Sequence, residues 1–139
     1  EYYGEAETTE IFFLRKETFT FGNDKDEQDL AEIIVDNDIE LLIIDTLSYA
    51  TVGDISSASV SGLVTRQMRR MCDSYGLTFV VVAHPGKDLS KGIKGGSEFS
   101  NNMPCVLFVN KGILEVVKQR SALAGTKLKF RSEVINQGE

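Results

Sequence analysis

The stretch Leu41-Leu42-Ile43-Ile44-Asp45 decides the fold class of this sequence. Its unbroken apolar run indicates a strand that is buried on both faces, because a strand with one wet face alternates apolar and polar residues. Buried strands of this kind are typical of parallel sheets in α/β proteins. Asp45 ends the run, so it is expected at the carboxyl end of the strand, where open α/β sheets bind their ligands.

A second apolar run, Leu77–Ala83, follows a long helical pattern. Apolar residues recur at helical spacing over residues 57–75, and Gly76 ends the pattern. Upstream of the first strand, Asp26–Val35 has the spacing of a shorter amphipathic helix. Two buried strands joined by a helix predict a right-handed crossover in a mostly parallel sheet, with helices on both faces.

The C-terminal part of the sequence has the pattern of antiparallel strands. Cys105–Val109 and Ile113–Val117 flank a turn at residues 110–112, and Thr126–Phe130 alternates apolar and polar residues. We expect these strands to extend the edge of the parallel sheet. Residues 85–103 before them are rich in Gly, Ser and Lys and lack periodicity, which is typical of a functional loop.

Length and composition predict one domain over residues 1–139, since a chain of this size with 42% apolar residues can bury a core. The sequence starts at Glu1 without Met or a leader, so we interpret it as truncated, with an upstream segment missing. Cys72 and Cys105 lack paired spacing, and no apolar run approaches the roughly 20 residues that span a bilayer. A reduced cytoplasmic protein without membrane contact is expected.

Charge is distributed unevenly along the chain. The net charge of −6 counts against a general nucleic-acid binder, because phosphate contacts require cations. Residues 1–86 carry six Lys or Arg against sixteen Asp or Glu, whereas residues 87–139 carry nine against five. A basic surface is therefore expected in the C-terminal part alone.

Asp45 and His84 are polar residues at two predicted strand ends. A buried strand that ends in an aspartate has the form of a Walker B motif, whose carboxylate holds Mg²⁺, usually through water. His84, the one histidine of the sequence, could hydrogen-bond the terminal phosphate of a nucleotide. Two structural alternatives stay open: Asp45 as a polar strand terminus, and His84 as a residue that ends its strand and caps its neighbours.

Two stretches carry a family resemblance. His84-Pro85-Gly86-Lys87-Asp88, with Lys94-Gly95-Gly96-Ser97 after it, resembles RepA-type hexameric replicative helicases and related AAA-like ATPases of phages and plasmids. Residues 111–120 and 125–130 are similar to the end of DnaB-type helicase domains. The resemblance implies a RecA-like P-loop NTPase core that binds ATP and Mg²⁺, in a homo-hexameric DNA helicase of replication or repair.

The same resemblance assigns roles to individual residues. Asp45 would be the Walker B aspartate that binds the cofactor and its metal, and His84 would contact the γ-phosphate. Lys118 and Arg120, two residues apart on a strand, would reach the nucleotide of a neighbouring subunit. An arginine supplied in this way stabilises charge on the transferring phosphoryl group. The alternative for this pair is an edge strand with solvated charges.

Glu5 follows Tyr2-Tyr3-Gly4, where the family places a glutamate that orients or deprotonates the attacking water. Glu7 is the second choice for this role, and the same glutamates suit the first turn of a helix. We interpret Thr8–Arg15 as that helix and Glu17–Phe21 as extended.

The Lys- and Gly-rich loop supplies the expected nucleic-acid contact. By the resemblance, its lysines correspond to the second central-channel loop, which follows single-stranded DNA through backbone charge. These residues are Lys87, Lys91 and Lys94. Flexible loops of this composition also occur without a ligand. The arginines Arg66, Arg69 and Arg70 are interpreted as an outer helix face.

The sequence departs from the family in one central feature, because no Gly-x-x-x-x-Gly-Lys-[Ser/Thr] phosphate loop occurs in its 139 residues. Without that loop the chain alone is expected to bind ATP poorly and to self-associate through an exposed sheet face. Pro85 also replaces a second histidine that is common in RepA-type sequences. A non-catalytic RecA-like module that binds nucleic acid or assembles, and a recombinase- or loader-type ATPase, remain alternatives.

Overall fold

A computed structural model of the chain describes residues 11–14, 19–84 and 96–132, without the side chains of residues 96–98. The described residues form an α/β protein with parallel and antiparallel strands. Its elements, in chain order, are α1 (Asp24–Asp36), β1 (Leu41–Asp45), α2 (Ala58–Tyr75), β2 (Thr78–Val82), α3 (Gly96–Asn102), β3 (Cys105–Asn110), β4 (Ile113–Gln119) and β5 (Lys127–Lys129). Among these residues, no helix combines the length and the apolar character that crossing a bilayer requires.

Helix α1 begins at a capping residue and buries the face that the sequence predicts. The Asn23 side chain accepts hydrogen bonds from the backbone N–H groups of Lys25 and Asp26, two donors that have no intrahelical partner. The acidic residues of the first turn oppose the positive end of the helix dipole. Leu30 and Ile34 are buried, so this helix confirms its prediction.

Strands β1 and β2 are parallel neighbours, as predicted. Their register pairs Ile43 with Val80 and Asp45 with Val82. One sheet face packs on the helices, where Leu42 and Phe79 contact a buried cluster. That cluster consists of Leu30, Ile34, Met71 and Leu77. On the other face, Ile43 is 60% exposed and Val80 is 46% exposed, so within the described residues helices cover one face of these strands.

Helix α2 connects the two strands and ends at Gly76. Its buried stripe follows helical spacing and contains two polar side chains among apolar ones. The stripe is Ser61, Val64, Gln67, Met68 and Met71. Gly76 has a φ of 70°, which glycine adopts at little cost, and its N–H donates to the carbonyl of Cys72.

The three C-terminal strands form a separate antiparallel sheet in the order β3-β4-β5. The turn between β3 and β4 is tight at Gly112, where an added Cβ would lie 2.7 Å from the Phe130 carbonyl oxygen. The register of β3 against β4 shifts between Val106 and Leu107, which marks a bulge. The predicted strands are confirmed, but their predicted pairing with the parallel sheet is wrong within the described residues.

Contacts divide the chain into two compact units. The first consists of residues 1–52 and 67–82, and the second of residues 53–66 and 83–139, so α2 contributes to both. The expectation of one domain stays a prediction. Two local predictions are corrected: residues 11–14 have no regular structure instead of the predicted helix, and residues 96–102 of the predicted loop are helical. Among the described side chains of residues 99–102, Phe99 is buried and anchors this helix.

Candidate functional site

Asp45 is the last residue of β1 and has an exposed side chain. Parallel strands expose their carboxyl ends at the same edge, and Asp45 is in register with Val82, the last residue of β2. The peptide bond between Asp45 and Thr46 is cis. The apolar residues before Asp45 hold β1 in the sheet. The Asp45 carboxylate therefore has a defined position at the carboxyl end of the parallel strands.

The turn after Asp45 is closed by hydrogen bonds within its own unit. The N–H of Leu47 donates to the Val82 carbonyl at 2.9 Å, so the turn remains joined to the end of β2. Thr51 Oγ1 donates to the Leu47 carbonyl at 2.6 Å, and the hydroxyls of Thr46 and Ser48 are 3.0 Å apart. Leu47 is 2% exposed, so its buried side chain also holds this turn in place after Asp45.

A second strand-like segment supports the same turn. Phe21 forms a parallel bridge with Thr51, and its N–H donates to the Ala50 carbonyl at 2.8 Å. The next residue, Gly22, donates its N–H to Gln67 Oε1 at 2.8 Å. Gln67 is 5% exposed, so a buried amide of α2 anchors the segment that borders the turn.

The sequence analysis did not predict a role for Gln67. Its amide nitrogen donates to Glu27 at 2.8 Å, and Arg70 also donates to the Glu27 carboxylate. Glu27 raises the pKa of the Arg70 guanidinium, first through its hydrogen bond with Arg70 and then through its negative charge. A signal was present, because Gln67 lies at the spacing of the apolar stripe together with Val60 and Val64, where a polar residue needs buried partners.

His84 follows β2 by two residues and has an exposed side chain. It belongs to the second unit, together with Lys118 and Arg120, whereas Asp45 belongs to the first. In chain order His84 comes just after the carboxyl end of β2, which ends at Val82. Its proposed contact with a phosphate stays a prediction.

Lys118 lies on β4 and has partners within its own chain. Its ammonium donates to the carbonyl of Asn101 at 2.6 Å and to that of Ser100 at 3.1 Å. These carbonyls belong to the last turn of α3, where backbone acceptors lack intrahelical donors. A cation at this end also opposes the helix dipole, so Lys118 acts here as a helix-capping side chain.

Arg120 lies one residue beyond the end of β4. Its backbone N–H donates to the Pro104 carbonyl at 3.1 Å, which continues the pairing next to β3, and its side chain is exposed. Lys118 is therefore on β4, as predicted, whereas Arg120 lies just beyond the strand instead of on it. Their predicted roles at a neighbour's nucleotide stay predictions. An exposed guanidinium is available to an outside anion, whereas Lys118 is engaged at α3.

Four candidate residues lie outside the described part of the chain. They are Glu5, Lys87, Lys91 and Lys94. The structure therefore leaves the predicted catalytic glutamate and the predicted DNA-contacting loop as sequence-based predictions.

The chemistry of the edge fits Mg²⁺ through one carboxylate. Among the described residues, no group of three or more His, Cys, Asp or Glu side chains could hold a metal ion. Mg²⁺ keeps much of its water and commonly takes only one or two protein carboxylates together with substrate phosphates. The exposed carboxylate of Asp45 suits such an ion better than one that requires a complete protein cage.

A comparison with known families agrees with this arrangement. A family model described as "AAA domain" matches residues 4–90, which is more than half of the chain and includes both Asp45 and His84. Searches of curated proteins and of solved structures give no match. The AAA domain is an ATPase-type domain, and nucleotide binding is the function that this match supports. The chain belongs to the AAA domain family.

Proposed function

We propose that this chain is part of a motor ATPase that couples hydrolysis of Mg-ATP to movement on DNA, in the manner of a hexameric replicative helicase. The observation that carries the proposal is the position of Asp45. Its exposed carboxylate ends a parallel strand, is in register with the end of β2, and lies inside the region that matches the AAA domain.

Asp45 and His84 are assigned to the nucleotide. The exposed carboxylate of Asp45 would hold Mg²⁺, and the ion would supply positive charge against the phosphates. His84 donates a hydrogen bond to the terminal phosphate from its place beyond β2, and Glu5 orients or deprotonates the attacking water.

Lys118 and Arg120 act on the nucleotide of a neighbouring copy. Arg120 has an exposed side chain, so it can meet an outside phosphate without giving up a side-chain hydrogen bond among the described residues. Lys118 exchanges its bonds with the Ser100 and Asn101 carbonyls for such a contact. Of the two, Arg120 is therefore the residue whose loss is expected to affect turnover more directly.

Single-stranded DNA is assigned to the loop that carries Lys87, Lys91 and Lys94. This loop lies in the part of the chain with nine basic residues against five acidic ones, whereas the rest of the chain is acidic. Contacts of this kind read backbone charge and not sequence, so DNA affinity is expected to fall steeply with salt.

A second candidate is a non-catalytic module that binds nucleic acid or assembles. The absence of a Gly-x-x-x-x-Gly-Lys-[Ser/Thr] motif in the 139 residues favours it, since that motif supplies the backbone cradle and the lysine for the phosphates. The self-contained bonding of Lys118 also suits a structural role. A third candidate is a recombinase- or loader-type ATPase, in which ATP controls assembly.

Steady-state hydrolysis of Mg-ATP by the full-length product of the gene, with and without single-stranded DNA, separates these candidates. Arg120→Ala is compared with Arg69→Ala, which removes an exposed arginine from α2. DNA-stimulated turnover that falls at least about tenfold only in Arg120→Ala, while ATP binding persists, supports the motor. If the unmodified protein shows no ATP turnover, the non-catalytic module is supported. If Arg120→Ala turns over ATP as fast as the unmodified protein, Arg120 does not act on a neighbour's nucleotide.

A further inference from the structure

Gln67 connects helix α2 with the segment that borders the turn after Asp45. Its carbonyl oxygen accepts a hydrogen bond from the Gly22 N–H, and its amide nitrogen donates to the Glu27 carboxylate, both at 2.8 Å. One end of a glutamine amide accepts and the other donates, so these two partners define the orientation of the side chain. Because Gln67 is 5% exposed, water does not compete freely for either end. The side chain is therefore held in one place.

Residues 46–51, which we call the Asp45 turn, are joined to two other parts of the same unit. The Leu47 N–H donates to a carbonyl of β2 at 2.9 Å, and the Phe21 N–H donates to the Ala50 carbonyl at 2.8 Å. The first bond comes from the end of the parallel strands, whereas the second comes from outside them. The position of the Asp45 turn therefore depends in part on how firmly Phe21 is held.

Phe21 and Gly22 form a short link between the Asp45 turn and α1. Phe21 is buried, but its pairing with Thr51 is an isolated bridge and not part of a longer ladder. Gly22 has no side chain that could pack. The bond from Gly22 to Gln67 ties this link to α2, one residue away from the bond that reaches the Asp45 turn.

We propose that Gln67 is a positioning residue for Asp45. By holding Gly22 it keeps the Asp45 turn in place, and the turn keeps the Asp45 carboxylate where Mg²⁺ would be held. Groups that support a metal ligand from a distance raise the affinity for the metal, because less ordering has to accompany binding. Gln67 does this without contact to nucleotide or ion. The inference rests on the proposed function, which assigns Mg²⁺ to Asp45.

Glu27 holds the other end of Gln67 and has a different part in the network. The Nε of Arg70 donates to its carboxylate at 3.1 Å, so Glu27 joins α1 to α2 through a charge. Glu27→Gln removes this charge but keeps an oxygen that can accept from the Gln67 amide. It weakens the link between the two helices and leaves the Gly22 bond intact, which makes it the matched control.

Gln67→Met is the test variant. Methionine has a similar length and fills the same space, but it can neither accept from the Gly22 N–H nor donate to Glu27. Circular dichroism reports whether each variant keeps its fold. Gln67→Asn is too short to reach both partners, and it replaces Gln67→Met if that variant does not fold.

A double variant, Gln67→Glu with Glu27→Gln, exchanges the two groups. The carboxylate at position 67 can accept from the Gly22 N–H and from the amide at position 27, so both bonds are made again with donor and acceptor reversed. The net charge of the pair is unchanged. This variant is expected to behave like the unmodified protein in both measurements that follow.

Amide hydrogen exchange of the full-length protein without nucleotide measures the turn directly. In Gln67→Met, fragments that cover residues 20–22 and 46–51 should exchange at least about fivefold faster than in the unmodified protein, because losing a hydrogen bond makes local opening easier. Residues 30–36 of α1 report a general loss of stability. Their exchange should change no more than it does in Glu27→Gln.

The Mg²⁺ dependence of ATP turnover gives the second readout. At fixed ATP, Gln67→Met should raise the free Mg²⁺ concentration for half-maximal turnover at least about fivefold. Turnover at saturating Mg²⁺ should stay within about twofold of the unmodified protein, since no group that touches the nucleotide is removed. Glu27→Gln should leave the half-maximal concentration within about twofold of the unmodified value.

Three results would overturn the inference while the proposed function stands. The first is unchanged exchange of the Asp45 turn in Gln67→Met, and the second is an unchanged Mg²⁺ dependence. The third is equal acceleration of exchange in α1 and in the Asp45 turn, which would make Gln67 a stabilising residue only. Failure of the proposed function looks different, because the unmodified protein then shows no Mg²⁺-dependent turnover. The inference falls with it in that case, since Asp45 has no ion to hold.

Discussion

The ammonium of Lys118 lies 2.6 Å from the carbonyl oxygen of Asn101, and this bond joins β4 to the carboxyl end of α3. The last carbonyls of a helix lack donors from the helix itself and carry partial negative charge. Lys118, from a neighbouring strand, supplies both hydrogen-bond donors and a positive charge at this helix end. Any role for Lys118 outside its own chain therefore has to compete with an interaction that it already makes.

Replacing Lys118 by methionine is expected to lower the free energy of unfolding by about 1 kcal/mol. The substitution keeps most of the side-chain stem but removes the donor and the charge at the end of α3. Urea denaturation followed by circular dichroism measures the change. Lys129→Met, which removes an exposed lysine of β5, serves as the control and should change stability by less than about 0.5 kcal/mol. Equal stability of the two variants would contradict the capping role.

Gln67 offers a sharper test of buried polar structure. Gln67→Ala removes the acceptor for the Gly22 N–H and a donor to Glu27, both at 2.8 Å, and leaves a cavity in α2's buried face. We expect a loss of about 2 kcal/mol or more in the free energy of unfolding. Gln28→Ala on the exposed side of α1 makes the same chemical change without buried partners. A loss no larger than that of Gln28→Ala would show that the network adds little.

Ser61 leads to the opposite expectation. It is fully buried on α2, and among the described residues its hydroxyl is the buried side-chain group without a hydrogen-bond partner. Ser61→Ala removes a group that is costly to bury and raises helix propensity, so stability should rise by about 1 kcal/mol. Thermal unfolding compares it with Ser74→Ala, which raises propensity at an exposed position of the same helix. If Ser61→Ala destabilises the chain, the hydroxyl has an important partner.

The elements of this fold follow from its sequence where a single physical pattern dominates. The Leu41–Asp45 run, the Gly76 stop and the helical spacing of residues 57–75 each specified an element that the structure contains. The arrangement of the strands into sheets could not be predicted from the sequence. Local alternation of apolar and polar residues indicates a strand but not the strand with which it pairs. The β3–β4 hairpin and its β5 neighbour satisfy their own hydrogen bonds and form a separate sheet.

The sequence predicted those candidate residues whose positions are set by the ends of strands. Asp45 and His84 follow apolar runs, and a residue that follows such a run must stand at the carboxyl end of its strand. Gln67 and the bonds of Lys118 were not predicted, because both depend on groups distant in sequence. Lys118 meets carbonyls 17 and 18 residues away, and no local pattern marks that contact.

The two cysteines should differ in reactivity. Burial raises the pKa of the Cys72 thiol, with a smaller contribution from the charge of Asp73, whereas Cys105 is exposed on β3. Iodoacetamide near neutral pH should therefore modify Cys105 first, since the thiolate is the nucleophile. Mass spectrometry of proteolytic fragments follows both sites, and urea should make their rates similar. Faster modification of Cys72 in the folded chain would contradict this expectation.

The same shift has a consequence for stability. The folded chain binds the Cys72 proton more tightly than the unfolded chain does. Its contribution is therefore present below the ordinary thiol pKa and is lost as pH rises through the raised value. Cys72→Ala should remove this part of the alkaline loss of stability, and Cys105→Ala provides the control. Urea titrations across the alkaline range compare the variants.

Asp45→Asn tests the carboxylate on which the proposed function depends. The amide keeps the size of the side chain but removes the charge that would hold Mg²⁺, so ATP turnover of the full-length protein should fall at least about tenfold. Stability should change by less than about 0.5 kcal/mol, because the side chain is exposed at the end of β1.

Asp38→Asn is the matched control, since Asp38 is also exposed and its φ of 48° is a conformation that asparagine tolerates. Raising the Mg²⁺ concentration should recover part of the activity of Asp45→Asn if the lost charge served the ion. Turnover that is equal in the two variants would remove Asp45 from the nucleotide site. Loss of turnover together with unfolding of Asp45→Asn would instead make this residue a structural end of β1.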